Sequence, residues 1–107
     1  MLVIAIMTVR TDRLADFRLF ELRAAAVMAR HGARIEQCVF VPDAGQSGVC
    51  KEVHCVRFPD AKAFDNYRND PALLELAGLR ASAVIHTELL SGEDGPDYHT
   101  AHSKDFS

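Results

Sequence analysis

Leu2 to Val9 reads LVIAIMTV, a run rich in Val and Ile that is apolar on both of its alternating faces. A strand of this kind must be covered on two sides, which makes it a central strand in a layered domain. The run is too short to span a bilayer. It also lacks the basic start and small-residue cleavage site of a secretory signal. A cytoplasmic location is expected, with no membrane association. Cys38, Cys50 and Cys55 agree: three is an odd number, no pair has C-x-x-C spacing, and free thiols suit a reducing compartment.

The chain has 107 residues, enough for one domain and too few for two. Residues 1–91 are expected to form that domain and 92–107 a polar tail. The formal net charge of −3 argues against a nucleic-acid surface and against a polybasic membrane anchor.

After the first strand, Thr11 or Asp12 is the expected cap of a helix from about Arg13 to His31. Phe17, Phe20, Ala24, Val27, Met28 and His31 recur at three- and four-residue steps and form its apolar stripe. Gly32 suits the left-handed position past its end. Leu19 and Leu22 lie off the stripe.

Arg34 to Val41 alternates as a half-exposed strand, with Ile35, Gln37, Val39 and Val41 on one side. Turn-forming residues 42–48 then lead into a strand from Lys51 to Phe58, so a hairpin joins the two. Val53, Cys55 and Arg57 share one face of the second strand, and His54, Val56 and Phe58 the other. Asp60 is the expected cap of a helix carrying Phe64 and Tyr67. Asp70-Pro71 restarts it, with Leu73, Leu74, Leu76 and Ala77 as its apolar residues. Ser82 to Leu90 is the last strand, with Ile85 expected to be buried.

The order strand, helix, strand, strand, broken helix, strand is the ferredoxin-like β-α-β-β-α-β arrangement. The fold class is α+β: a four-stranded antiparallel sheet with both helices on one face. The other face is left bare, and its apolar residues call for a second copy packed sheet to sheet. A homodimer through the helix-free face is therefore expected.

Within Glu52 to Tyr98, the stretches Val56-Arg57-Phe58-Pro59, Ala63-Phe64-Asp65-Asn66-Tyr67-Arg68, Asp70-Pro71 and Gly92-Glu93-Asp94-Gly95-Pro96-Asp97-Tyr98 carry a resemblance. The chain resembles a group of uncharacterised bacterial proteins, domain of unknown function family 1330, in the dimeric α+β barrel superfamily. The likeness covers nearly all of the chain in element order and is sharpest in the second half. It implies a ferredoxin-like protomer whose sheet packs on a partner's. The superfamily includes cofactor-free monooxygenases, haem-degrading enzymes, lactone isomerases, decarboxylating enzymes and members without known activity. The chain has no Trp, so relatives that depend on an active-site Trp are poor guides.

Chemistry, if any, falls to few residues. His54 and His86 lie on strands, and imidazole exchanges protons near neutrality. Arg57 offers a planar donor fork for an anion. His86 with Arg57 is the favoured catalytic pair, because alternation turns His54 away from Arg57. Phe17, Phe20, Phe64 and Tyr67 are the expected pocket walls. Outside His99-x-x-His102 in the tail, no short spacing gathers metal ligands, and two histidines fall short of the three or four a site needs. No metal and no cofactor is expected.

Two classes of function stay open. One is a cofactor-independent enzyme acting on a small apolar or aromatic metabolite. The other is a non-catalytic dimer that binds a small molecule or another protein. A third use, a higher assembly through Leu19 and Leu22, is an extension of the second.

Overall fold

β1 (Leu2–Arg10) lies inside the sheet, between β3 (Val49–Arg57) and β4 (Val84–Gly92); β2 (Arg34–Val41) forms the edge beyond β3. All three pairings are antiparallel, as in the ferredoxin-like α+β fold. The computed structural model describes residues 1–99. His102 and the rest of the tail expected after it lie outside the described residues. No described helix is long and apolar enough to cross a membrane.

α1 (Leu14–Arg30) buries Phe17, Phe20, Ala24, Val27 and Met28, the stripe read from its periodicity. Its start differs from expectation. A 3₁₀ turn occupies Thr11–Arg13, and neither Thr11 nor Asp12 caps the helix. Asp12 is instead turned back to Arg10, 3.1 Å away. At the other end Gly32 has φ 72°, and a Cβ there would come within 3.0 Å of the Pro59 ring. Both the left-handed backbone and the close approach require glycine.

The broken second helix is three pieces: α2 (Ala61–Arg68), α3 (Pro71–Leu74) and α4 (Ala77–Ala83). Asp60 caps α2 by accepting the Ala63 N–H, and Asp70 caps α3 by accepting that of Ala72. Asp70 also accepts from His31 Nε2 at 2.8 Å, which ties the end of α1 to the start of α3. This hydrogen bond holds the Asp70 carboxyl below its usual range, helped by the Ala72 N–H.

Two bulges shift residues that strict alternation misplaces. The β1–β4 register slips between Thr8 and Val9, so Ile85 is an extra residue and is 56% exposed. The strand also starts later than expected, because Ala83 closes α4. On β2 the register slips between Ile35 and Gln37, which puts those two on opposite faces. Leu73 and Leu76 are half-buried where full burial was expected.

On the helix side the core falls into two clusters. One contains Val3, Met28, Ala33, Val56 and Phe58; the other contains Met7, Val9, Phe17, Cys50 and Ala83. On β3 the helix-facing row is Cys50, Glu52, His54, Val56, all buried. The two polar members fall between the two clusters. On the opposite face, Val53 pairs with Val39 and Ile6, and Ile4 with Cys55 and Leu90, leaving an apolar band with no helix over it.

Candidate active site

A cavity of ≈ 300 Å³ lies between the sheet and the helices. Val3, Ala5 and Met7 of β1, His54 and Val56 of β3, and Thr87 and Leu89 of β4 form its floor. Phe20, Glu21, Phe64, Tyr67 and Leu73 are among the helix residues over it. The lining is mainly apolar with a few converging polar groups, the character of a small-molecule site.

The polar wall is built on β3. Period-2 alternation puts Glu52 and His54 on one face, two residues apart. His54 Nε2 lies 2.7 Å from Glu52 Oε1, and His54 Nδ1 lies 3.5 Å from Glu21 Oε2. Both strand residues are 3% exposed, so each needs a partner to offset its desolvation. The other Glu52 oxygen takes no aligned hydrogen bond, although Arg18 Nη1 is 3.3 Å away. Arg18 in turn stacks over the Phe40 ring, 5.0 Å from its centroid. The chain Arg18–Glu52–His54–Glu21 therefore runs from the half-exposed edge of the sheet to the cavity.

Glu21 is the cavity end of that chain. Burial pushes its carboxyl up; His54 and Arg80 oppose the shift and Glu52 adds to it. Burial, with Glu21 nearby, also pushes the Tyr67 phenol up to about 12. Tyr67 therefore remains a hydrogen-bond donor at neutral pH.

Glu52 and His54, with Cys38 opposite His54 across the β2–β3 ladder, bring three donor atoms within 4.8 Å of one another. Burial first, and then Glu52, pushes the Cys38 thiol up to about 11. Three donors are one short of a closed structural zinc shell, and Arg18 already brings a cation to Glu52.

The expected site residues divide between the two faces. His54, Phe20, Phe64 and Tyr67 line the cavity. Phe17 does not: it is fully buried in the packed cluster beside Met7 and Val9. Arg57 and His86 are on the helix-free face, since Val56, Thr87 and Leu89 beside them point into the cavity. They do not meet there either. Arg57 is level with Leu2, and His86 with Thr8, about 20 Å along the strand at strand rise. Arg57 pairs with Asp94 at 2.6 Å and Glu36 at 2.9 Å, which raises its pKa and lowers theirs.

Glu21 and Glu52 were missed by residue-by-residue reading, yet both carried a signal. Glu21 is one turn after Phe17 and three residues before Ala24, so it is a carboxylate at the edge of an apolar stripe. Glu52 shares the strand face of His54.

The fold recurs in solved structures. A cofactor-independent oxygenase from Streptomyces nogalater, SnoaB, superposes with a TM-score of 0.59 at 17% identity, over 88% of this chain and 93% of its own. A protein of unknown function from Rhodopseudomonas palustris gives 0.66 at 18%, over 83% and 78%. A provisionally assigned antibiotic biosynthesis monooxygenase from Caulobacter crescentus gives 0.61 at 17%, over 87% and 89%. At such identities the likeness establishes the shared α+β fold. No protein-family profile and no curated protein matches the chain.

Proposed function

We propose that the chain is a cofactor-independent enzyme that removes a proton from a small, largely apolar or aromatic, weakly acidic molecule held in the cavity. One observation carries this reading: His54, buried between two carboxylates, opens through Glu21 onto an apolar cavity of ≈ 300 Å³. Glu52, beside Arg18, is the acceptor for Nε2–H, a tautomer inferred from its partner. Nδ1 is then left facing Glu21, and the two form a relay for the substrate's proton. A base tuned upward by burial is suited to proton transfer near neutrality. The Tyr67 phenol is the donor available to the anion that forms. The likeness to SnoaB favours dioxygen as the co-substrate that this anion meets next. His54, Phe20, Phe64 and Tyr67 are thus retained as site residues, while Glu21 takes the place intended for Arg57 and His86.

The working unit is a homodimer joined through the helix-free sheet face. Its support is the band of Ile4, Ile6, Val39, Val53 and Leu90 that no helix covers. The narrower resemblance to domain of unknown function family 1330 rests in part on Asp70-Pro71, which caps α3, and on Phe64 and Tyr67, which line the cavity.

A binding module without chemistry is the second reading. It is favoured by the fact that both ring nitrogens of His54 already face carboxylates. Hydrogen–deuterium exchange separates the two. The full chain is incubated in D₂O with a panel of phenols and β-dicarbonyl compounds, and exchange at carbon is followed by NMR, with oxygen uptake in parallel. Catalysed exchange is expected to fall by about a hundredfold or more in Glu21→Gln and His54→Asn. Exchange at the uncatalysed rate with every compound, or unchanged in both variants, overturns the enzymatic reading.

A further inference from the structure

Two guanidinium groups at this cavity have no ion-pair partner among the described residues. Arg10, Arg13, Arg18, Arg34 and Arg57 each lie within ion-pair distance of a carboxylate. Arg23, Arg30, Arg68 and Arg80 do not, and of these four Arg68 and Arg80 line the cavity. The chain carries 15 acidic residues against 12 basic ones, so partners are not scarce.

Both groups are nevertheless held in place. Arg80 Nη2 donates to Thr87 Oγ1 at 2.6 Å, and Thr87 is itself a lining residue. That bond uses one of the five N–H donors of the guanidinium. The Arg68 guanidinium carbon lies 5.2 Å from the Phe64 ring centroid, a cation–π contact that leaves its N–H edge available. Glu21 is the one carboxylate among the lining residues. Burial raises its pKa and Arg80 opposes that shift, but neither arginine lies within ion-pair distance of it.

We propose that the occupant of the cavity is an anionic acid: an apolar, ring-bearing body with a carboxylate that Arg80 and Arg68 receive. The inference rests on the cavity being the substrate site and specifies the substrate class. The apolar floor of Val3, Ala5, Val56 and Leu89 takes the body, and guanidinium supplies the donor fork that a carboxylate fits. The cavity is at the small end of ligand pockets, which favours one or two rings.

The test compares 1-naphthoic acid with 1-naphthamide, two probes with one body and different charge. Binding to the full chain is measured by titration calorimetry at low and high salt. The acid is expected to bind about tenfold tighter than the amide or better, with the advantage shrinking in salt. The ratio should approach one in Arg68→Gln/Arg80→Gln and persist in part in Arg68→Lys/Arg80→Lys, where charge is kept. Both arginines are exposed, and the lysine pair controls for folding. Equal affinities, no saturable binding of either probe, or a ratio that survives the glutamine pair overturns the proposal. Because the ratio is read from binding alone, equal affinities leave proton transfer standing. A tenfold ratio that the glutamine pair abolishes, with exchange unaffected by His54→Asn, removes proton transfer and leaves the carboxylate standing.

Discussion

His54 Nε2 and Glu52 Oε1 lie 2.7 Å apart on one face of β3, both side chains withdrawn from water. Two residues along a strand, this pair interrupts the helix-facing row between Cys50 and Val56. A fully apolar row would close the gap between the two core clusters. The polar pair stands there instead and brings a histidine to the cavity wall.

The pair is expected to be costly to break and cheap to replace. His54→Ala leaves the Glu52 carboxylate buried with Arg18 alone, a loss of about 3 kcal/mol. His54→Leu with Glu52→Leu should recover most of that loss, because two desolvated groups leave together. Urea denaturation of the single and double variants measures it. A double variant no more stable than the single would mean that the pair contributes net stability.

The element order was legible because each signal was local. The α1 stripe, Asp60 and Asp70-Pro71 act within one or two turns of chain, and they stand where their chemistry put them. The bulges were not legible, since a one-residue slip is decided by the neighbouring strand. That slip exposes Ile85 and separates Ile35 from Gln37. At the site, alternation correctly put His54 and Arg57 on opposite faces. Only packing shows which of those faces carries the cavity, and Arg57 and His86 lie on the other one. The polar reading stopped at His54 because Glu21 is thirty-three positions away in sequence and meets it only through the fold.

Glu21 should leave a signature in stability against pH. Its raised pKa means that the folded chain keeps a proton the unfolded chain has released. The stability this contributes is complete below the ordinary value of 4.5 and is lost as pH rises through the folded value. Glu21→Gln has no such slope. The denaturation midpoint of the variant should gain on the wild type as pH rises from about 4.5 upward. A constant difference across that range would show that Glu21 titrates normally.

Asp70 should behave in the opposite sense. Its carboxyl is held low by His31 and the Ala72 N–H, so its contribution is present above the ordinary value of 3.8. It is lost as pH falls through the folded value. Asp70→Asn should lower Tm at pH 7, and the gap should close in acid. A gap that stays open in acid would mean that the lost contact with His31 was not a matter of charge.

Phe17 and Phe20 are one turn apart on α1 but do different work. Phe17 is sealed in the packed cluster, and Phe17→Ala should cost about 3–5 kcal/mol. Phe20 has a side on the cavity, so Phe20→Ala should cost less and enlarge the space for a ligand. Chemical denaturation and binding of bulkier aromatic acids read the two effects separately. Equal costs with no change in ligand size preference would remove Phe20 from the cavity wall.

The proposed homodimer through the helix-free face can be tested directly. Ile6 is flanked by Val53 and Glu88, and Ile4 by Cys55 and Leu90. Leu90 is 48% exposed and Val39 44%. An apolar band across four strands is stable in water when it is covered, and a two-fold partner covers it with an identical band. Such an interface should bury roughly 1,200–2,000 Å² or more. Sedimentation at low micromolar concentration is expected to give a homodimer. Ile4→Arg and Leu90→Arg should shift it to monomer, because each puts a charge in the middle of the contact. Leu22→Arg, on the outer side of α1 and 72% exposed, should leave the dimer intact. Dissociation by Leu22→Arg with tolerance of Ile4→Arg would move the interface to the helical side and leave the bare sheet unexplained.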